Sequence, residues 1–121
     1  MKQIKLHWLL LLALAAPFGA AAQAGGSAAG ETQLEQGKQL YQYWCSACHA
    51  PGPGHPGTQA LEARLQGSMP AVLEERTNLT PALVEVFVRN GISIMPFFRR
   101  TEINDEELAA IGAYLSHNPG E

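Results

Sequence analysis

The sequence predicts an all-α domain, and three observations carry that prediction. Two segments open with complete helix-start signals, Thr80-Pro81 and Asn104 with Glu107 three residues on. Apolar side chains recur at intervals of three and four residues in three stretches. No stretch shows the strict alternation of a half-buried strand, and no internal repeat divides the chain. At 121 residues the chain is expected to hold one small domain.

Residues 1–24 read as a removable secretory signal peptide. Lys2 and Lys5 make a positive head, residues 6–16 an apolar run, and Pro17 and Gly19 break it. Ala22-Gln23-Ala24 is a small-residue cleavage site, with Ala20-Ala21-Ala22 as its rival. The eleven-residue apolar run is well short of the roughly 20 residues that a bilayer span requires. The expected destination is the periplasm, with no membrane span after cleavage.

Counting from Gly25 leaves 97 residues. A chain that short buries a thin core and often needs a staple, a metal or a cofactor. Two Cys are too few for a disulfide-dense scaffold. Without Lys2 and Lys5, six basic residues face eleven acidic ones, a net charge of −5. That balance argues against nucleic acid or an anionic membrane surface as a partner.

Residues 25–31, rich in Gly, Ala and Ser, are expected to form a flexible leader ahead of the domain at 32–121. Thr32 with Glu35 is a capping box. Leu34, Gly37, Leu40, Tyr41 and Trp44 then predict a first helix over 33–45. The PGPGHPG run at 51–57 is expected to be irregular. Leu61, Arg64 and Leu65 fit a short helical turn that Gly67-Ser68 ends, and residues 72–76 fit another.

Thr80 is a hydroxyl N-cap and Pro81 suits the first helical position, flanked by Leu79 and Val84 as a hydrophobic staple. Leu83, Val84, Phe87 and Val88 give that helix its apolar face, and Asn90-Gly91 supplies the stop. Residues 92–98 form an apolar loop interrupted by Pro96. Asn104 and Glu107 cap the last helix, with Ile103 and Leu108 as staple and Leu108, Ile111, Tyr114 and Leu115 facing inward. Asp105, Glu106 and Glu107 suit its positive end, and Pro119-Gly120 lies beyond it.

The chemistry is concentrated in Cys45-Ser46-Ala47-Cys48-His49, a C-x-x-C-H run. In an exported chain this spacing reads as c-type haem attachment. Two thiols three residues apart can each add to one haem vinyl group, and the next residue brings an imidazole to the iron. Three other readings compete. A thioredoxin-like pair needs a βαβ context. A structural zinc site needs further paired Cys or His, and the mature chain adds only His55 and His117. A simple disulfide leaves His49 without a role.

The second axial ligand is expected from a distant segment, among Met69, Met95, His55 and His117. Met95 is preferred, because its loop joins two well-capped helices and can fold over the far haem face while Pro96 stiffens it. Met69 also precedes a proline but lies in a weakly structured stretch only 20 residues after His49.

Gly37-x-x-Leu40-Tyr41-x-x-x-Cys45-x-x-Cys48-His49, then Asn90-Gly91-Ile92-Ser93-Ile94-Met95-Pro96, then a C-terminal helix with an aromatic residue, resembles a class I cytochrome c over residues 34–117. The resemblance implies short helices packed around one covalent haem, electron transfer, and a first and last helix crossing where Gly37 meets Tyr114. It also implies a proline carbonyl that receives the imidazole N–H of His49, for which Pro51, Pro53 and Pro56 compete and Pro56 is the choice. The loop after His49 departs from the usual G-P-x-L run.

Leu61-Glu62-x-Arg64, Val88-Arg89-Asn90-Gly91, Met95-Pro96-Phe97-Phe98 and the stretch from Asp105-Glu106 to Tyr114-Leu115-Ser116 are similar to the cytochrome subunits of p-cresol methylhydroxylase and of the 4-alkylphenol (eugenol) hydroxylase flavocytochromes. That resemblance implies an FAD-containing, phenol-oxidising partner subunit and a downstream periplasmic electron acceptor. The chain is then an electron-transfer subunit, not catalytic alone. Phe97 and Phe98 are candidates for haem packing, an apolar docking rim or ordinary core. Arg64, Arg76, Arg89, Arg99 and Arg100 are candidates for partner steering, propionate pairing or plain solvated charge. Trp44 is expected in the core beside the haem.

Overall fold

A computed structural model describes residues 25–117, with side-chain surroundings from residue 30 on. The expected signal peptide and Pro119-Gly120 lie outside the described residues. In order come α1 (Gly25–Trp44), α2 (Ser46–His49), α3 (Pro56–Leu65), a 3-10 turn (Leu73–Glu75), α4 (Pro81–Asn90) and α5 (Asp105–His117). Among the described residues there is no strand, only an isolated bridge between Ile92 and Met95. None of these helices is long and apolar enough to cross a membrane.

The two start signals work as expected. Thr80 Oγ1 accepts from Leu83 N–H at 3.2 Å, and Pro81 opens α4. Asn104 Oδ1 accepts from Glu107 N–H at 2.9 Å, while Glu107 Oε2 accepts from Asn104 N–H at 2.8 Å. This reciprocal box satisfies two donors that a helix start leaves orphaned. Both staples, Leu79 with Val84 and Ile103 with Leu108, are buried.

Two boundaries differ from expectation. α1 begins at Gly25, so the stretch expected as a flexible leader is helical and Thr32 lies inside the helix instead of capping it. Once a helix is nucleated each added residue gains a hydrogen bond, and Ala28 and Ala29 favour that extension. α3 begins at Pro56, so the PGPGHPG run is irregular only up to His55. A proline that would break a helix interior is suited to its first position.

α1 crosses α5 at Gly37. A Cβ there would sit 2.1 Å from the Ala110 carbonyl oxygen and 2.8 Å from Tyr114 Cβ. Only glycine lets the two backbones come this close. One turn on, Tyr41 packs its ring 5.8 Å from that of Tyr114. Tyr41, Leu79, Val84, Val88, Ile103, Leu108, Ile111 and Leu115 form the core. Trp44, Cys45, Met95 and Phe98 pack against it partly buried.

Candidate functional site

The C-x-x-C-H run sits where α1 gives way to α2. Cys45 interrupts the helix with φ −114° and ψ −36°, and a single new turn, Ser46–His49, follows. Ser46 Oγ donates to Gln42 O at 2.5 Å and covers one carbonyl that the break leaves open. Cys48 and His49 N–H both return to Cys45 O, at 3.1 and 2.9 Å. The motif is therefore a tight turn continuous with the end of α1, with Cys45 half-buried and Cys48 exposed. Both thiols are free. Burial pushes the Cys45 thiol up to about 12, with Cys48 adding to the shift. A thioredoxin-type nucleophile needs the opposite shift. Among the described residues no three His, Cys, Asp or Glu side chains converge as a metal cage.

Three contacts fix the segment that carries His49. The buried Tyr41 hydroxyl donates to the His49 carbonyl at 3.2 Å. Thr58, only 1% exposed, donates from Oγ1 to Ala50 O at 3.0 Å. Gly57, in the first turn of α3, lies so close that a Cβ would sit 2.7 Å from His49 Cε1 and 2.9 Å from its Nδ1. Burial lowers the His49 pKa and so favours the neutral imidazole over the charged one, the form that ligates metals.

His49 Nδ1 is buried and makes no hydrogen bond. The bond expected from this ring to the Pro56 carbonyl is therefore not formed here, although Pro56 opens the helix that packs on the ring. His55, just before it, is bonded through Nδ1 to Ala47 O at 3.0 Å.

Met95 lies in the loop between α4 and α5. Gly91, with φ +67°, turns the chain back so tightly that a Cβ would meet Met95 O at 2.7 Å. A side chain is strained at that φ and has no room there. Ile92 and Met95 exchange backbone bonds at 3.1 and 2.9 Å, and Phe98 N–H returns to Val88 O at 2.8 Å. The Phe98 ring packs edge-on against Trp44 at 5.8 Å. Trp44 precedes Cys45, so the loop and the attachment motif meet through this aromatic pair. Phe98 packs against the core partly buried, while Phe97 is 59% exposed.

The other ligand candidates are occupied elsewhere or lie at the surface. Met69 is 38% exposed, and its sulfur accepts from Arg76 Nη2 at 3.1 Å. His117 is exposed at the last turn of α5. Four of the five candidate steering arginines are engaged within the chain, Arg76 through Asn78 Oδ1 and the Met69 sulfur. Arg89 and Arg100 each reach Asp105 at 2.9 Å, and Arg99 lies 3.6 Å from Glu102.

Gly57 and Thr58 escaped the sequence reading, because a glycine beside prolines looks like simple loop. The Tyr41 contact had a visible signal. Tyr41 lies four residues before Cys45 and eight before His49, on one helical face.

These residues fit a c-type haem. They comprise paired free thiols, an imidazole on the turn that follows them, and a methionine loop that meets the same motif through the Trp44–Phe98 pair. The crossing at Gly37 and the C-x-x-C-H turn closing the first helix define a class I cytochrome c domain, a module of electron transfer. The chain belongs to the family described as cytochrome C oxidase, cbb3-type, subunit III, whose model matches residues 32–115.

The chain is 33% identical over 111 residues to the cytochrome c subunit of 4-cresol dehydrogenase [hydroxylating] from Pseudomonas putida, covering 92% of this chain and 84% of that one. It is also 35% identical over 88 residues to cytochrome c6 from Tetradesmus obliquus, covering 68% and 86%. No solved structure gives a significant match.

Proposed function

We propose that this chain is a periplasmic, His/Met-ligated monohaem cytochrome c that takes electrons from an FAD-containing, phenol-oxidising subunit and passes them to a soluble acceptor. Cys45 and Cys48 would hold one haem through thioethers, and His49 and Met95 would fill the two axial positions. The bound haem supplies a one-electron Fe(III)/Fe(II) couple. With His49 and Met95 both holding the iron, the chain would leave no open position for oxygen or peroxide. The soft Met95 sulfur favours Fe(II) and raises the potential, as suits an acceptor downstream of a flavin.

The observation that carries the axial assignment is the contrast between the methionines. Met69 sulfur is bonded at the surface to Arg76, whereas Met95 is half-buried, packs against the core and lies in the loop that reaches the attachment motif through Phe98 and Trp44. The partner assignment rests on the similarity to the 4-cresol dehydrogenase cytochrome subunit over most of both chains. Export rests on the charged head, apolar run and small-residue exit of residues 1–24.

The test is native purification from the periplasm, following haem absorbance and flavin fluorescence together, then anaerobic addition of a 4-alkylphenol. Flavin that co-elutes, with haem reduced by the phenol, is the expected result. Haem eluting alone near monomer mass and staying oxidised overturns the partner assignment. It would favour a free shuttle between other redox proteins, a second reading that the similarity to cytochrome c6 supports. Haem that stays with the chain after acid–acetone extraction tests the thioethers. Met95→Ala is expected to abolish the far-red sulfur–iron charge-transfer band and admit carbon monoxide to the reduced protein. An unchanged spectrum would mean an open sixth site and a haem enzyme or sensor.

A further inference from the structure

Arg89 lies in the last turn of α4 with its side chain only 13% exposed. Its Nη1 donates to Phe98 O at 3.1 Å and to Ile103 O at 2.9 Å, and its Nη2 donates to Asp105 Oδ1 at 2.9 Å. Nε is buried without a partner. One guanidinium thus reaches the returning end of the Met95 loop, the residue before the cap of α5, and the first residue of α5. The Phe98 peptide is gripped on both sides, its N–H by Val88 O and its carbonyl by Arg89.

The neighbouring arginines are different. Arg99 and Arg100 are 73% and 67% exposed in their side chains, and such surface pairs contribute little. Bonds from a charged donor to carbonyls in a nearly enclosed position are stronger and harder to replace. A lysine ammonium gathers its three donors on one nitrogen and cannot span three acceptors on two segments as a planar fork does.

We infer that Arg89 is the positioning residue of the Met95 loop, fixing the loop's return at Phe98 to the start of α5 and so setting where the Met95 sulfur is held. Its consequence for the iron rests on the proposed Met95 ligation, but its hold on the loop does not.

The test uses the haem-loaded protein and its Arg89→Lys variant, with Arg99→Ala as surface control. Amide hydrogen exchange is read at Ile92, Met95 and Phe98, whose N–H groups make the loop's backbone bonds. In Arg89→Lys these amides are expected to exchange at least about tenfold faster, while amides of α1 around Gly37 keep their wild-type rates. The far-red band is expected to vanish on heating well before the far-UV helix signal, and Arg99→Ala to change neither.

Uniform acceleration of all amides, with band and helix signal lost together, would mean a merely structural role and overturn the inference. So would unchanged loop amides. A wild-type measurement covers a variant that fails to fold. The Arg89 guanidinium protons are expected to resolve separately and exchange slowly, unlike those of Arg99, and averaged Arg89 signals overturn the inference. Met95→Ala keeps the two questions apart. If it retains the far-red band, the ligand assignment fails, while the loop exchange still decides Arg89.

Discussion

Replacing Gly57 by Ala sets two effects of known size against each other. The Gly57 backbone is helical, so alanine gains helix propensity and reduces unfolded-chain entropy, a stabilisation of about 0.4–1 kcal/mol. Against this, the new Cβ would sit 2.7 Å from His49 Cε1, 2.8 Å from Cys48 O and 2.9 Å from His49 Nδ1. Carbon atoms rest about 3.5–4.0 Å apart, so the overlap is roughly 0.8 Å on the imidazole. The Cys48 contact is backbone and cannot yield by changing rotamer. Overpacking of this kind costs about 1–3 kcal/mol, so at mid-range strain wins by about 1.3 kcal/mol. In a domain of this size that lowers the melting temperature by roughly 5–10 °C. Because the ring itself must tilt, the reduction potential is expected to move as well. Thermal unfolding followed by circular dichroism and a redox titration read the two effects. Ala63→Gly, at an exposed position in α3, calibrates the helix contribution alone. A Gly57→Ala protein that is more stable than wild type, with an unchanged potential, refutes the argument.

Gly37→Ala puts a Cβ 2.1 Å from a backbone carbonyl, so α1 and α5 must separate. The expected loss is at the upper end of the overpacking range, about 3 kcal/mol, and denaturant melts at wild-type midpoint would contradict it. The Arg100 and then Arg89 guanidiniums hold the Asp105 carboxyl below the usual carboxylate range. That contribution is complete above the ordinary value of about 3.9 and fades as pH falls through the lower folded value. Asp105→Asn is therefore expected to lower stability at pH 7 and to flatten the loss below about pH 4. Unfolding midpoints across a pH series check this, and curves that stay parallel throughout defeat it.

Legibility in the sequence followed the range of the physics. Caps and staples are local, so Thr80-Pro81 and the Asn104–Glu107 box could be read from residues three apart and stand where expected. The α1 start could not be read. Thr32 and Glu35 have the right chemistry for a cap, but nothing before them stops a helix already under way. The C-x-x-C-H run announced its chemistry, yet the surroundings of His49 are long-range and carry no local signature. Thr58 is the one fully buried polar side chain in the described core, and its bond to Ala50 O spans eight residues through a proline–glycine loop. The arginines were ambiguous for the same reason. Whether a cation meets a partner or its own chain is decided by where Asp105 and Glu102 arrive in space.

The two segments that would ligate the iron belong to separate packing units. Tyr41, Gly57 and Thr58 hold the His49 turn through α1 and α3. Gly91, Val88 and Arg89 hold the Met95 loop through α4, and Arg89 links it to α5. Neither unit alone determines the distance between imidazole and thioether. That distance is set where the units meet, at the α1–α5 crossing and the Trp44–Phe98 contact. Packed interiors transmit strain instead of absorbing it. A change at Gly37 should therefore alter the distance between the His49 imidazole and the Met95 thioether, although Gly37 is eight residues from Cys45 and makes no part of the site. Were His49 and Met95 both to hold the iron as proposed, keeping that distance constant would keep the rearrangement on each electron transfer small. A glycine that lets two backbones touch and an arginine that fixes one loop to the start of a helix serve that same end.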